Sequence, residues 1–290
     1  MNKKIHLILG AAMVGGMLAS CGGSKEFDSS KNISVLVRET GSGTKSAFLE
    51  ILGLKGAADP TNAITQTSTS AILTEVSGNQ YAIAYDSLGY VDDTVKTLKV
   101  DGVIPTASTI KDGSYAISRP LNVIYKEATI SSEPVYADYL SFLGSKEAEE
   151  MASEEGYVAV HDSTTSYSKT AEYTGKKITI SGSTSLQPLM IKLAAKYMEY
   201  HKEVTVEVSG GGSGTGYSNA ESGVSTFGMI SEEFKSSKAA SCTYYTVCKD
   251  GIAVIVNKSN PLETIAKADL ATIYNPSAET PITTWSQLIK

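Results

Sequence analysis

Three short turns rich in glycine, serine and threonine constrain the fold of this chain more than any other feature of its sequence. They occupy residues 41–44 (Gly-Ser-Gly-Thr), 182–185 (Gly-Ser-Thr-Ser) and 210–216 (Gly-Gly-Gly-Ser-Gly-Thr-Gly). Each stands between a predicted strand and a predicted helix. Residues 251–256 form a nearly continuous apolar run, as expected of a strand buried on both faces. Strands that alternate with helices predict an α/β fold with mainly parallel sheets.

The same turns have the chemistry of an anion site. A helix N-terminus leaves backbone N–H groups unpaired and carries a partial positive charge, and serine and threonine add hydroxyl donors. One such turn is usually a helix cap, but three in one acidic chain predict an oxyanion-binding site. Arg38 precedes the first turn, and its planar guanidinium can hold a tetrahedral oxyanion through two hydrogen bonds. The alternative for Arg38 is a surface ion pair with Glu39.

Glu232 is a candidate for selectivity among oxyanions. It lies in the segment Gly-Met-Ile-Ser-Glu-Glu, residues 228–233. A carboxylate repels an anion unless that anion carries a proton to donate, as monohydrogen phosphate does and sulfate at neutral pH does not. An acceptor-only group among donors would therefore favour phosphate over sulfate. The alternative is that Glu232 and Glu233 are the solvated start of a helix.

The N-terminus predicts export. Two lysines and an apolar run too short to span a bilayer precede Leu-Ala-Ser-Cys, which ends at Cys21. Residues 1–20 are therefore interpreted as a lipoprotein signal peptide, with Cys21 as the acylated (palmitate-bearing) first residue of the mature chain. Residues 21–33 form a flexible tether. The alternative is a plain signal peptide in which Cys21 is incidental.

Composition and missing motifs exclude several classes of function. A formal charge of −6 and the lack of a Lys/Arg block argue against nucleic-acid binding. The sequence contains no P-loop, no Gly-x-Ser-x-Gly motif and no metal-site spacing of Cys and His. His161 and His201 lie apart from any candidate nucleophile. Cys242 and Cys248 either form a disulfide or remain two buried thiols. The chain is predicted to bind a ligand without catalysis, cofactor or metal.

Seven segments together resemble the phosphate-binding lipoproteins of bacterial phosphate ABC transporters. The segments, which cover nearly the whole mature chain, are Ile178–Pro188, Val206–Gly216, Asp250–Asn260, Trp285–Leu288, Arg38–Thr44, Ala82–Tyr90 and Asp112–Pro120. The resemblance implies a two-lobed periplasmic-binding-protein fold of type II, with phosphate buried between the lobes.

The order of these segments differs from that of the family. Here the Arg38 segment comes first and the chain stops just after the Trp285 segment, which indicates a circular permutation with residues 161–177 as the linker between the former termini. Residues 34–116 and 259–290 then form one lobe (the first lobe), and residues 117–258 form the other (the second lobe). The chain would cross between them near Ser114–Pro120 and Asn257–Pro261, with both chain ends on the first lobe.

The resemblance also implies a set of ligand residues. Matched motif by motif, they are Thr184, Ser185 and Ser213 of the second lobe and Arg38, Ser42, Gly43 and Thr44 of the first lobe. Glu232 falls where many members have arginine and others aspartate. At the position of Thr40, some members carry an acidic residue that partly offsets the positive charge of the arginine, a role that Glu39 can take over.

The function implied is that of an extracytoplasmic, lipid-anchored receptor on the cell membrane. It would bind inorganic phosphate as a monomer and deliver it to the membrane permease of an ABC transporter. Three alternatives stay open: a secreted phosphate-acting enzyme, a phosphate sensor or surface adhesin on the same scaffold, and a receptor for another oxyanion such as sulfate or molybdate.

Overall fold

The computed structural model describes residues 26–289. The predicted signal peptide and Cys21 therefore lie outside the described residues. The strands are β1 (Ser34–Arg38), β2 (Ile64–Gln66), β3 (Ala82–Ser87), β4 (Val95–Thr97), β5 (Lys99–Val100), β6 (Ser118–Tyr125), β7 (Lys177–Gly182), β8 (Thr205–Ser209), β9 (Phe227–Ile230), β10 (Thr243–Asn257) and β11 (Thr264–Ile265). The helices are α1 (Gly43–Ile51), α2 (Thr69–Gly78), α3 (Ala107–Lys111), α4 (Glu127–Ser132), α5 (Pro134–Leu143), α6 (Lys146–Glu154), α7 (Gln187–Tyr200), α8 (Gly212–Ser222) and α9 (Lys267–Ile273).

One sheet runs through both lobes in the order β2-β1-β3-β10-β6-β9-β7-β8, and β4 also pairs with β10. The strands of each end, β2-β1-β3 and β9-β7-β8, are parallel. The central strand β10 runs antiparallel to both β3 and β6. The predicted α/β class is confirmed. The sheet is mixed because the long strand β10 runs antiparallel to both of its main neighbours. Its first half pairs with β6 of the second lobe, and its second half pairs with β3 of the first lobe.

The hydrophobic core divides where β6 and β10 cross between the lobes. Ile117 and Ile252 pack in the core of the first lobe, whereas Leu121 and Cys248 pack in that of the second lobe. The first crossing therefore lies in the predicted stretch, but the second lies near residue 251, before the predicted stretch at 257–261. The apolar run at 251–256 belongs to the first-lobe core, because it is the second half of β10.

The predicted linker, residues 161–177, is anchored to the second lobe. The carboxylate of Glu149 accepts hydrogen bonds from the backbone N–H groups of His161 and Ser163. The Tyr167 hydroxyl contacts Asp138 and lies 2.6 Å from His201 Nε2. A polar segment without helical or strand periodicity thus follows a defined path, because buried side chains of the lobe satisfy its polar groups.

The cysteines resolve as two thiols. Cys248 is buried in the core of the second lobe, whereas Cys242 is partly exposed and packs against a separate small cluster. Among residues 26–289, no helix is both long and apolar enough to span a bilayer.

Candidate functional site

The first residues of several helices meet at the boundary between the two lobes. Thr44 of α1 has its Oγ1 3.0 Å from Ser185 Oγ, just before α7. Thr69, the first residue of α2, has its Oγ1 3.4 Å from the same oxygen. The backbone N–H of Gly214 in α8 donates to the carbonyl of Gly41, 2.9 Å away. Four helix N-termini, with their unpaired donors and partial positive charge, therefore converge on one place.

Arg38 reaches from the first lobe to the second. It ends β1, and its side chain is buried. Its Nε and Nη2 donate to the two carboxylate oxygens of Glu39, each at 3.0 Å. Nη2 also donates to Thr184 Oγ1 at 3.1 Å, and Nη1 donates to Thr69 Oγ1 at 3.4 Å. The ion pair with Glu39 is present, but Arg38 is not at the surface: Glu39 aims its guanidinium at hydroxyl groups of the site.

Gly43 permits the closest approach of the two lobes. A Cβ atom at this position would lie 2.3 Å from Ser213 Oγ and 2.7 Å from Ser231 Oγ, distances that a side chain does not tolerate. Ser213 Oγ in turn accepts a hydrogen bond from the backbone N–H of Ser231 at 3.0 Å. Replacement of Gly43 by any other residue would therefore push these two serines away from α1.

Most of the ligand residues predicted from the sequence come together here. We call the six hydroxyl residues at this boundary the hydroxyl cluster; they are Thr44, Thr69, Thr184, Ser185, Ser213 and Ser231. Ser42 lies beside the hydroxyl cluster as the N-cap of α1, where its Oγ accepts from the backbone N–H of Lys45 at 3.3 Å. Several neutral hydroxyls with the adjacent Arg38 guanidinium form a set of donors suited to an anion.

Glu232 is placed differently from the hydroxyl cluster. Its Oε2 accepts from Ser46 Oγ at 2.6 Å and from Lys235 Nζ at 2.8 Å, and its Oε1 accepts from Lys238 Nζ at 2.6 Å. It is buried, and no helix begins at this residue, so it is not a solvated helix start. These contacts give no support to a proton-accepting role, because three other donors already occupy its carboxylate.

Three residues of the site were missed by sequence reasoning: Thr69, Ser231 and Arg119. Arg119 is buried, and its Nη2 donates to Ser185 Oγ at 3.2 Å and to Asp250 Oδ2 at 3.0 Å. Its Nη1 donates to the carbonyl of Ser231 at 3.1 Å. The signal was available in the composition, because the chain contains 25 basic residues of which only Arg38 and Arg119 are arginines. Both arginines lie at this site.

Two buried aspartates flank the arginines. Burial raises the pKa of Asp250 above its ordinary value, and the neighbouring Arg119 guanidinium partly opposes this shift. Burial also raises the pKa of Asp86 well above its ordinary value. Asp86 Oδ1 accepts from the backbone N–H of Ser87 at 2.8 Å, and the Ser87 hydroxyl donates to Asp250 Oδ2 at 2.8 Å. Within residues 26–289, no group of three or more His, Cys, Asp or Glu side chains is arranged to hold a metal ion.

Sequence and structure relate this chain to known proteins. It matches the profile of the PBP superfamily domain over residues 24–147 and 162–290. It is 32% identical, over 99% of both chains, to phosphate-binding protein PstS 2 of Streptococcus pneumoniae. It is 34% identical, over 100% of this chain and 99% of the relative, to phosphate-binding protein PstS 2 of Streptococcus agalactiae.

A solved structure supports the same relation. The phosphate-binding protein of a phosphate ABC transporter from Streptococcus pneumoniae superposes with a TM-score of 0.69 at 32% identity, over 88% of this chain and 99% of that chain. The predicted periplasmic-binding-protein fold is thereby confirmed. The chain belongs to the PBP superfamily and, within it, to the same family as these streptococcal phosphate-binding proteins.

Proposed function

We propose that this chain is an extracytoplasmic receptor that binds inorganic phosphate between its two lobes and delivers it to an ABC transporter. The observation that carries the proposal is the convergence of Arg38 and the hydroxyl cluster from both lobes on one buried place. The names of the full-length relatives support phosphate as the ligand. Burying an anion is costly unless donors match its oxygens, and this site supplies donors from four helix N-termini.

The ligand set follows from these contacts. Arg38 supplies the positive charge, and Thr44 meets Ser185 across the boundary at 3.0 Å. An anion that takes the place of this mutual hydrogen bond would receive a hydroxyl donor from each lobe. Thr184 and Ser213 extend the same surface on the second lobe. We assign the backbone N–H groups of Gly43 and Thr44 to the same anion, because helix α1 begins there. The N–H of Ser42 donates to the carbonyl of Glu39 at 3.2 Å, so Ser42 would contribute its hydroxyl. For Glu232, proton acceptance stays a prediction from the sequence.

The rearranged chain order is part of the proposal. Asn32 and Thr284 form a β-bridge, and the backbone N–H of Ile33 donates to the carbonyl of Thr283 at 2.8 Å. Both ends of the described chain therefore lie together on the lobe that carries Arg38, as the circular permutation requires.

Attachment at Cys21 and transfer to a permease complete the proposed function. The leader in the sequence supports the lipid anchor, which would hold a monomeric receptor at the outer face of the cell membrane. Metabolic labelling with palmitate, compared between the wild type and Cys21→Ser, tests the anchor. Phosphate uptake by cells lacking the gene distinguishes a transport receptor from a sensor or adhesin.

The central test is calorimetric titration of phosphate into residues 22–290. The protein is first freed of phosphate by unfolding and refolding, and sulfate and molybdate are then titrated in the same way. Tight one-to-one binding of phosphate that sulfate does not displace supports the proposal. Preference for another oxyanion would change the ligand, and failure of a folded sample to bind any of them would overturn it. A phosphatase assay with and without divalent metal tests the enzymatic alternative.

A further inference from the structure

Arg119 occupies the place where the two lobes are joined. It lies in β6 directly opposite Asp250 of β10, at the point where both strands pass from one hydrophobic core to the other. Its guanidinium is fixed by Asp250 Oδ2 at 3.0 Å and by the carbonyl of Ser231 at 3.1 Å. Asp250 Oδ2 is itself held by the Ser87 hydroxyl at 2.8 Å. The position of Arg119 is therefore set by the strands, and no ligand is needed to set it.

The contact between Arg119 and Ser185 has a direction. A guanidinium nitrogen only donates hydrogen bonds, so Ser185 Oγ must accept from Arg119 Nη2 at 3.2 Å. The single hydroxyl proton of Ser185 must then point elsewhere. The oxygens of Thr44 and Thr69 lie in those other directions, at 3.0 and 3.4 Å. Those residues belong to the hydroxyl cluster, so the Ser185 proton is directed into the cluster.

We propose that Arg119 is a positioning residue of the phosphate site: it holds the Ser185 oxygen as an acceptor, so that the Ser185 hydroxyl donates to the bound anion. This inference rests on the proposed function. Without Arg119, a serine hydroxyl can turn either a proton or a lone pair toward the ligand, and a lone pair repels an anion. Arg38 acts in the same way on Thr184, whose Oγ1 accepts from Nη2. The two arginines, one from each lobe, thus turn two adjacent hydroxyls of the second lobe into donors.

A double-mutant cycle on phosphate affinity tests whether Arg119 acts through Ser185. The variants are Arg119→Lys, Ser185→Ala and the two combined, measured by calorimetry on residues 22–290. Lysine keeps the charge but cannot contact Asp250, Ser231 and Ser185 together. We expect each single change to weaken phosphate binding at least about tenfold, the size of one hydrogen bond to a charged group. The combined variant should bind within about twofold of Ser185→Ala.

Additive losses, about a hundredfold or more in the combined variant, would overturn the inference. They would mean either that Arg119 contacts the ligand directly or that it only stabilises the fold. Direct contact is open to Arg119 because its buried Nε has no protein partner among the described residues. Full affinity of a folded Arg119→Lys variant would also overturn it. The matched control is the cycle of Arg119→Lys with Thr184→Ala, which should be additive because Arg38, not Arg119, contacts Thr184.

Two further measurements keep the test independent of folding and of the proposed function. Melting temperatures are recorded for every variant, because a purely structural role would show its coupling there and not in affinity. If Arg119→Lys does not fold, Asp250→Asn is used in its place. The loss of phosphate affinity caused by Asp250→Asn should disappear in the Ser185→Ala background. A loss that persists in that background would count against the inference. If the wild type itself binds no phosphate, the proposed function fails, whereas normal wild-type binding with additive cycles defeats the Arg119 inference alone.

Discussion

The two arginines of the chain hold their carboxylate partners in different ways. Arg38 and Glu39 are neighbours in sequence, and the Glu39 side chain keeps 23% of its area exposed. Arg119 and Asp250 are paired across two strands, with 1% and 0% of their side-chain areas exposed. Removing one partner of a buried pair leaves an uncompensated charge, and the cost is smaller where the partner that is removed is partly exposed to solvent, as Glu39 is. Under the proposed function, the first pair serves binding, whereas burial of both partners gives the second pair a role in the fold where the lobes join.

The largest expected effect follows from Arg38→Ala. Two charge-assisted hydrogen bonds to a buried anion contribute about 1.5–3 kcal/mol each, so phosphate affinity should fall by at least about a hundredfold. Calorimetric titration measures this loss. Arg38→Lys is the matched control, because it keeps the charge and should lose less affinity than the alanine variant. Wild-type affinity in Arg38→Ala would remove this residue from the site.

The second prediction separates the two pairs by stability. Asp250→Ala leaves the Arg119 guanidinium buried without its counter-charge and should lower the free energy of unfolding by about 3–5 kcal/mol. Glu39→Ala also leaves a buried guanidinium, that of Arg38, but it removes a carboxylate that is partly exposed and should therefore lower the free energy of unfolding by less than Asp250→Ala does. Urea unfolding monitored by circular dichroism gives both values. Equal losses would show that the two ion pairs contribute equally to the free energy of unfolding.

The contrast also shows what could be predicted from the sequence. The three turns and Arg38 could be recognised because strand, turn and helix patterns are local in sequence. The pairing of Arg38 with Glu39 could be predicted for the same reason, since the two residues are neighbours. The contact of Arg119 with Asp250 joins residues 131 positions apart, and no local pattern reports the register of β6 against β10. The second lobe crossing was predicted too late in the chain for the same reason. The apolar run at 251–256 revealed only the half of β10 that packs in the first lobe, and the more polar half that pairs in the second lobe was not recognised as part of the same strand.

Glu232 shows a second limit of prediction from the sequence, because its partners are brought together only when the chain folds. Lys235 and Lys238 turn back onto its carboxylate, and Ser46 reaches it from α1 of the first lobe. Lys235 Nζ also donates to Glu50 Oε2 of α1 at 3.0 Å. The charge pattern suggested an anion-facing acid, whereas the fold places Glu232 in a contact between lobes.

The third prediction concerns this contact. Glu232→Gln should weaken the ion pairs that join α1 to the second lobe and speed phosphate release a few-fold, with the preference for phosphate over sulfate unchanged. Stopped-flow release and competition titration measure the two quantities. Glu233→Gln is the control, because it makes the same charge change at an exposed neighbour. A loss of discrimination against sulfate in Glu232→Gln alone would instead support the proton-accepting role predicted from the sequence.

The smallest effect is expected at Asp86, which stands between the two pairs. Its Oδ2 is buried without a protein partner among the described residues. Burial raises its pKa well above the ordinary value of 3.8, while Arg38 and Arg119 oppose the shift and Asp250 adds to it. A carboxyl whose pKa is raised on folding favours the folded state fully below its unfolded pKa. That contribution is lost as the pH rises through the folded-state pKa.

Asp86→Asn should therefore raise the melting temperature by a few degrees at pH 7–8, since each kcal/mol corresponds to about 2–4 °C in a chain of this size. The gain should vanish near pH 4. Thermal melts of both proteins across this range provide the measurement. Asp112→Asn is the control of opposite sign, because hydrogen bonds from Ser114 lower the pKa of Asp112, so its removal should cost stability at neutral pH only. A loss at neutral pH would show that the two arginines keep Asp86 ionised, and a gain that is independent of pH would show that the effect of the substitution is not one of ionisation.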